Sequence, residues 1–296
     1  MLTKDLNVAA KIIRLFIALV ALLPLTLARG LGAVIGQWAW LVRSRGSRTA
    51  LTNLRLCFPE LTDRQIKALA GQSMRHWGMT LCEIPGVWRR GRDALDWIVD
   101  IEGMDAVDAA LAKGKGVIIV SPHHGNWEMV GYWAGTLGPI TTLYQPPRRF
   151  DLDDMLRRVR GKTGATLVPT TARGVSSLIK ALKRGELTGI LPDMEPEKNS
   201  GVFAPFFGIP TLTMTLIHSL QQRTGATALV GFAQRVPGGF KMVFTEPGPD
   251  ILASEPETAV AELNKAIEYL VRRAPEQYQW EYKRFKRRPE GMARLY

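Results

Sequence analysis

Apolar and polar positions change period several times along the chain. Residues 15–28 (LFIALVALLPLTLA) carry no charge, and after Arg29-Gly30 a second apolar stretch covers 31–42. Each is shorter than the ~20 residues that a spanning helix needs, and Pro24 and Gly30 are expected to bend or break a continuous helix. Thr62-Asp63-Arg64-Gln65 has the form of a capping box. It opens a helix whose positions Ile66, Leu69, Ala70, Ser73 and Trp77 recur at three and four. Residues 97–101 read as a strand and 105–111 as a short helix. The run 116–120 (GVIIV) is wholly apolar and β-branched, as a buried parallel strand would be. A helix from about Asn126, a strand at 140–144, a helix at 152–160, a strand at 166–168, a helix at 174–183 and a strand at 187–191 follow. After a turn at Phe206-Phe207-Gly208 the pattern predicts a helix over 211–223, strands at 226–233 and 240–245, and a helix at 256–273. Strands alternating with helices of this length predict an α/β fold with a mainly parallel central sheet flanked by helices.

The N-terminal segment admits three readings. A cleaved signal peptide has a basic start and a single short apolar core, but here a second apolar stretch follows. A buried helical hairpin suits the short lengths. A membrane anchor fits the flanks best: Lys4, Lys11 and Arg14 precede it, Trp38 and Trp40 stand near its end, and Arg43, Arg45 and Arg48 follow. The expected organisation is a hydrophobic anchoring segment over 1–45 and one α/β catalytic domain over 46–296.

Charge narrows the partners. Lys and Arg number 39 against 27 Asp and Glu, a net +12, so the surface attracts something anionic: nucleic acid, anionic lipid or an acidic carrier protein. Cys57 and Cys82 belong to no CxxC or Cys/His cluster, which argues against a disulfide framework or a zinc finger.

The chemistry concentrates in 117–131, VIIVSPHHGNWEMVG. A buried strand ends, a His123-His124-Gly125 loop follows, and a helix begins; sites in open α/β sheets form at such strand ends. His123 and Glu128 are five apart, which within one helix turns them roughly 140° from each other. They meet only if His123 lies in the loop and Glu128 in the first helical turn, with Gly125 allowing the bend. A carboxylate on one imidazole nitrogen leaves the other free to take a proton from a hydroxyl. Two plainer readings stand beside this. A metal site lacks ligands, with only His76 and His218 elsewhere and no HExxH, and a purely structural pair would have both rings satisfied by backbone. His124 is the weaker of the two, suited to loop packing or substrate orientation.

His123-x-x-x-x-Glu128 after an apolar strand resembles the H-x4-D/E motif of the glycerolipid acyltransferase superfamily. The HHGNWE form is similar to that of the lipid A biosynthesis acyltransferases, the lauroyl and myristoyl transferases of Gram-negative bacteria. Asn53-Leu54-Arg55-Leu56-Cys57-Phe58-Pro59-Glu60 resembles the family's NL-x-x-CFPE segment. Residues 201–208 (GVFAPFFG) resemble its G-x-F-x-PFFG segment, and 280–289 (WEYKRFKRRP) its W-x-x-(K/R)RFK-x-RP signature. Four motifs in order span nearly the whole chain.

The resemblance implies transfer of a fatty acyl group from an acyl-carrier-protein thioester to a hydroxyl of a lipid A precursor, a late step of lipopolysaccharide biosynthesis. It implies His123 and Glu128 as the catalytic pair and no cofactor or metal. It places the chain at the bacterial inner membrane with its catalytic domain facing the cytoplasm. Arg173, Asp193, His124 and Asn126 become candidates for substrate or oxyanion contacts, with Asp193 a candidate partner of Arg173. Phe206 and Phe207 become candidates for acyl-chain or membrane contact, with core packing as the alternative. The acceptor is the most open point. Met194 follows Asp193 where the family commonly has glutamine, and Tyr144-Gln145-Pro146-Pro147-Arg148 departs from its Tyr-Arg pattern, so a lysophospholipid or an aminolipid is the alternative acceptor. From a different class, Lys283, Arg284, Lys286, Arg287 and Arg288, interleaved with aromatics, would suit nucleic acid. No nucleic-acid-binding motif accompanies them, so no nucleic-acid partner is expected.

Overall fold

The computed structural model describes residues 8–144, 153–162 and 164–296; of the segment 144–148 singled out above, residues 145–148 lie outside the described residues. Seven strands form one sheet. From edge to edge they are β1 (Ile98–Glu102), β9 (Gly239–Thr245), β8 (Thr227–Val236), β2 (Val117–Val120), β5 (Leu187–Ile190), β3 (Ile140–Tyr144) and β4 (Thr166–Pro169). Neighbours run parallel except β8 and β9, which form an antiparallel hairpin. The mainly parallel α/β architecture expected from the alternation is the one observed.

β2 lies mid-sheet, with Val117 opposite Leu187 on one side and Thr227 on the other. Its side chains alternate between two cores, as the two-residue period of a strand requires. Ile118 and Val120 join Leu178 and Leu182 of α8 (Ala172–Lys183) and Leu263 and Ile267 of α10 (Pro256–Arg273). Val117 and Ile119 join Val107 of α5 (Met104–Ala112) and Met129 and Trp133 of α6 (Trp127–Leu137). Burial on both faces explains why the strand reads as an unbroken apolar run.

One expected element is corrected. Residues 211–214 are not the start of a helix but belong to a strand, β7 (Ile209–Met214), paired antiparallel with β6 (Gly201–Phe206). Phe207 and Gly208 form the two-residue turn, both in the left-handed region at φ 51° and 73°, the backbone that tight hairpins favour. That turn fixes the register at Phe206 opposite Ile209, and Thr211 and Thr213, β-branched, suit the strand. The helix starts only afterwards, as α9 (Leu216–Thr224).

The N-terminal region forms α1 (Val8–Val20), α2 (Leu25–Leu41), α3 (Arg45–Cys57) and the long α4 (Asp63–Arg90). Pro24 caps α2 and marks the break after α1, whereas Gly30 lies inside α2 without interrupting it. The Thr62–Gln65 capping box forms as expected. α2 lies backbone-to-backbone on α4. A Cβ on Gly36 would sit 2.0 Å from the Met74 carbonyl, and one on Gly78 the same 2.0 Å from the Gly32 carbonyl. The other face of α2 is apolar and exposed, with Val34 67%, Trp38 66% and Leu41 69% accessible. Among the described residues no single helix is long and apolar enough to cross a membrane. α2 and α3 pass that test only as a pair bent by 81°.

Candidate active site

Parallel pairing of β2 with β5 decides what meets at the strand ends. The ladder continues one residue beyond β2, where the Ser121 N–H donates to the Ile190 carbonyl at 3.0 Å. Two loops therefore leave the sheet side by side, one carrying His123 and the other Asp193. Asp193 Oδ1 lies 2.8 Å from His123 Nδ1, and Oδ2 accepts the His123 backbone N–H at 2.8 Å. With a carboxylate on Nδ1, that nitrogen carries the proton and Nε2 is left as the acceptor. Burial opposes the Asp193 charge, but attraction to His123, both hydrogen bonds from that residue and the nearby Arg284 outweigh it and hold the carboxyl below its ordinary range. The carboxylate is nearly sealed, at 5% exposure, while the imidazole keeps 17%. Trp127 meets the His123 ring edge-on, centroids 4.9 Å apart.

The loop bends where the sequence predicts. Gly125 has φ 59°, and a Cβ there would fall 2.0 Å from the Ala233 carbonyl, so the turn needs glycine. Asn126 is the N-cap of α6, its side chain accepting the Met129 N–H at 3.3 Å. Glu128 does lie in the first helical turn, but it does not hold His123. Its Oε2 accepts from Trp88 Nε1 and its Oε1 from Arg160, each at 3.0 Å. The correction is geometric: α6 starts only at Trp127, so the Trp127 ring faces His123 while Glu128 is turned toward α4 and α7 (Asp153–Gly161).

The other candidates scatter. His124 is fully buried, stacked on Phe232 at 3.8 Å with Nε2 on the Ala274 carbonyl at 2.9 Å. Burial pushes its pKa down to about 3, the mark of a neutral core histidine, so loop packing is its observed place. Asn126 is buried too, its amide spent on the cap and on Glu83. Arg173 stands exposed in the first turn of α8; the expected Arg173–Asp193 pair is absent because both Asp193 oxygens face His123. Phe206 and Phe207 are buried at 1% and 9% exposure, packed with Phe58, Tyr278, Trp280 and Phe285. They are core, not surface: the hairpin turn folds inward onto the same aromatic cluster that Phe58 and Trp280 enter from two other motifs. Arg284 is likewise buried, donating to the Leu212 carbonyl at 2.7 Å, so 283–288 is not a continuous basic face. Among the described residues no group of three or more His, Cys, Asp or Glu side chains is placed to hold a metal ion.

Two features escaped the sequence reading. Glu83, in the middle of α4, is a sealed carboxylate bound by Arg235 and Arg29. Glu281, inside the C-terminal motif, is a half-buried acid beside the His123 loop, with both carboxyl oxygens shut off from solvent. Nothing in spacing announces either, since the Glu83 partners lie 54 and 152 residues away and the Glu281 oxygens have none.

An imidazole held by a buried carboxylate thus stands at the mouth of parallel strands. The family model for bacterial lipid A biosynthesis acyltransferase matches residues 7–287, and the chain belongs to that family. Among its relatives, the lipid A biosynthesis palmitoleoyltransferase of Escherichia coli (strain K12) is 29% identical over 276 residues, covering 93% of this chain and 90% of the relative. The lauroyltransferase of the same organism is 27% identical over 281 residues, with 94% and 91% covered. The myristoyltransferase is 23% identical over 280 residues, with 94% and 86% covered.

Proposed function

We propose that the protein transfers a fatty acyl group from an acyl-carrier-protein thioester to a hydroxyl of a lipid A precursor, with His123 as general base oriented by Asp193. The observation that carries this reading is the His123 Nδ1–Asp193 Oδ1 contact of 2.8 Å, within a chain of the lipid A acyltransferase family. His123 Nε2 takes the hydroxyl proton as the oxygen attacks the thioester carbonyl carbon. The tetrahedral adduct collapses with cleavage of the C–S bond, and the imidazolium returns the proton to the departing thiolate. Products are the ester and the free thiol. General-base assistance of this kind is worth about 10²–10⁴ in rate. Arg173, exposed at the start of α8, is the proposed contact for a developing oxyanion or an anionic group of substrate.

The protein is proposed to act at the cytoplasmic face of the bacterial inner membrane. The exposed apolar face of α2 and the arginines that follow it support that placement. Mass spectrometry of total lipids from a deletion strain, beside its complement and a His123→Ala complement, tests the function. The expected result is lipid A lacking one acyl group in the deletion and in the His123→Ala strain, restored by the wild type. Loss of an acyl group from a phospholipid or aminolipid instead would reassign the acceptor, and full restoration by His123→Ala would refute the proposed base.

A further inference from the structure

The Gln279 N–H donates to the His123 carbonyl at 3.0 Å, and two residues further the chain reaches Glu281. Both Glu281 carboxyl oxygens are shut off from solvent and have no hydrogen-bond partner. Burial raises its pKa to about 7; its own N–H, the Gln279 side chain and the charge of His123 oppose that rise only weakly. Glu281 forms one wall of a cavity of about 750 Å³, with Arg45, Lys286, Arg287 and Arg294 around it. The other acid there, Glu195, is taken by Arg287 at 3.3 Å. Among the described residues no carboxylate pairs with Arg45, Lys286 or Arg294, and Arg45 stands in the first turn of α3, where the helix end adds positive potential.

The position of the cavity narrows its occupant. Arg45 comes three residues after Val42, where the exposed apolar surface of Val34, Trp38, Leu41 and Val42 ends. Cations bordering an apolar face are suited to a headgroup at a lipid surface.

We propose that this cavity binds the phosphorylated headgroup of the lipid acceptor, with Arg45, Lys286 and Arg294 on the phosphate. The inference rests on the acyl-transfer reading and adds which part of the acceptor is held, and where. A phosphate ester also occurs in the thioester arm of an acyl carrier, and the test separates the two sources.

Full-length enzyme is assayed with a lipid A precursor bearing its phosphates and with the same lipid after dephosphorylation, varying acceptor and donor separately. For the wild type, dephosphorylation should raise the acceptor KM about tenfold, the scale of one lost charged hydrogen bond. In the Lys286→Gln/Arg294→Gln variant, the phosphorylated acceptor should already show that raised KM and the two lipids should become equal, with the donor KM unmoved. Retention of the wild-type preference by the double variant overturns the proposal, and so does a rise in donor KM alone, which would assign the cavity to the carrier arm. If the wild type acylates no lipid A precursor, the acyl-transfer reading fails instead. Direct binding of the phosphorylated precursor in micelles, compared between wild type and double variant, then still decides the cavity.

Discussion

Two buried carboxylates, Glu83 and Asp193, are built alike and used differently. Glu83 accepts Arg235 Nε and a second Arg235 nitrogen at 2.6 and 2.7 Å and Arg29 Nε at 2.6 Å. Burial opposes its charge, and the two guanidinium groups overcome that and hold the carboxyl below its ordinary range. Arg235 also reaches His76 and Thr80, and Arg29 the carbonyls of Val236 and Gly239. Both Glu83 oxygens face protein cations, and the cluster ties α2 and α4 to the β8–β9 hairpin. Asp193 is as deeply buried, yet its partner is an imidazole that keeps one nitrogen uncommitted and part of its surface open. A charge satisfied from all sides fixes a fold, whereas in the proposed mechanism a charge that holds a group with unused capacity prepares a reaction. Glu281 is the third case, a half-buried acid with neither cation nor imidazole bonded to it.

That contrast breaks most visibly at Glu83. Glu83→Ala strands two guanidinium groups and is expected to cost about 3–5 kcal/mol in chemical unfolding. Loss of stability well under 1 kcal/mol would mean the cluster does not hold the helices to the sheet. Next in size is the glycine seam beside it. Gly78→Ala pushes a methyl against the Gly32 carbonyl and should lower stability by about 1–3 kcal/mol. Gly30→Ala, in the same helix pair with nothing within 4 Å, should be neutral or gain up to about 1 kcal/mol; equal effects would dissolve the seam.

Glu281 adds a pH signature to these fixed-pH effects. Its raised pKa means that its contribution to stability is full below the unfolded value of 4.5 and lost as pH rises through about 7. His124, lowered to about 3, acts with the opposite sign: its contribution is full above 6.5 and lost as pH falls toward 3. Glu281→Gln removes only the first of these. Relative to the wild type it should gain stability by up to about 1.4 kcal/mol per pH unit between 4.5 and 7. Parallel stability curves for the two proteins would show that Glu281 is not held protonated.

Local pattern made most elements legible. The GVIIV run, the Thr62 capping box and the bend at Gly125 each depend on neighbours in sequence, and each appears where the pattern puts it. The error at 211–214 arose because Thr211, Leu212 and Thr213 are buried in succession rather than alternately, a pattern that also fits the start of a helix; the pairing with β6 that settles it is a contact, not a period. The site was half legible for the same reason. His123 was placed by its own strand, but its partner was decided by the order of strands in the sheet. Because β5 lies next to β2, a carboxylate 70 residues away in sequence reaches His123, whereas Glu128, five residues away, is turned aside by the helix. The Glu83 cluster and the Glu281 cavity depend wholly on such distant contacts.

The central claim is that Asp193, and not Glu128, orients the imidazole of His123. Single-turnover acyl transfer by Asp193→Asn and Glu128→Gln, measured side by side on folded protein, tests it most directly. Asp193→Asn should slow the chemical step by about 10² or more, because the amide no longer fixes the Nδ1–H tautomer, while Glu128→Gln should slow it less than about tenfold. A collapse of the rate in Glu128→Gln with Asp193→Asn near the wild type would contradict the account.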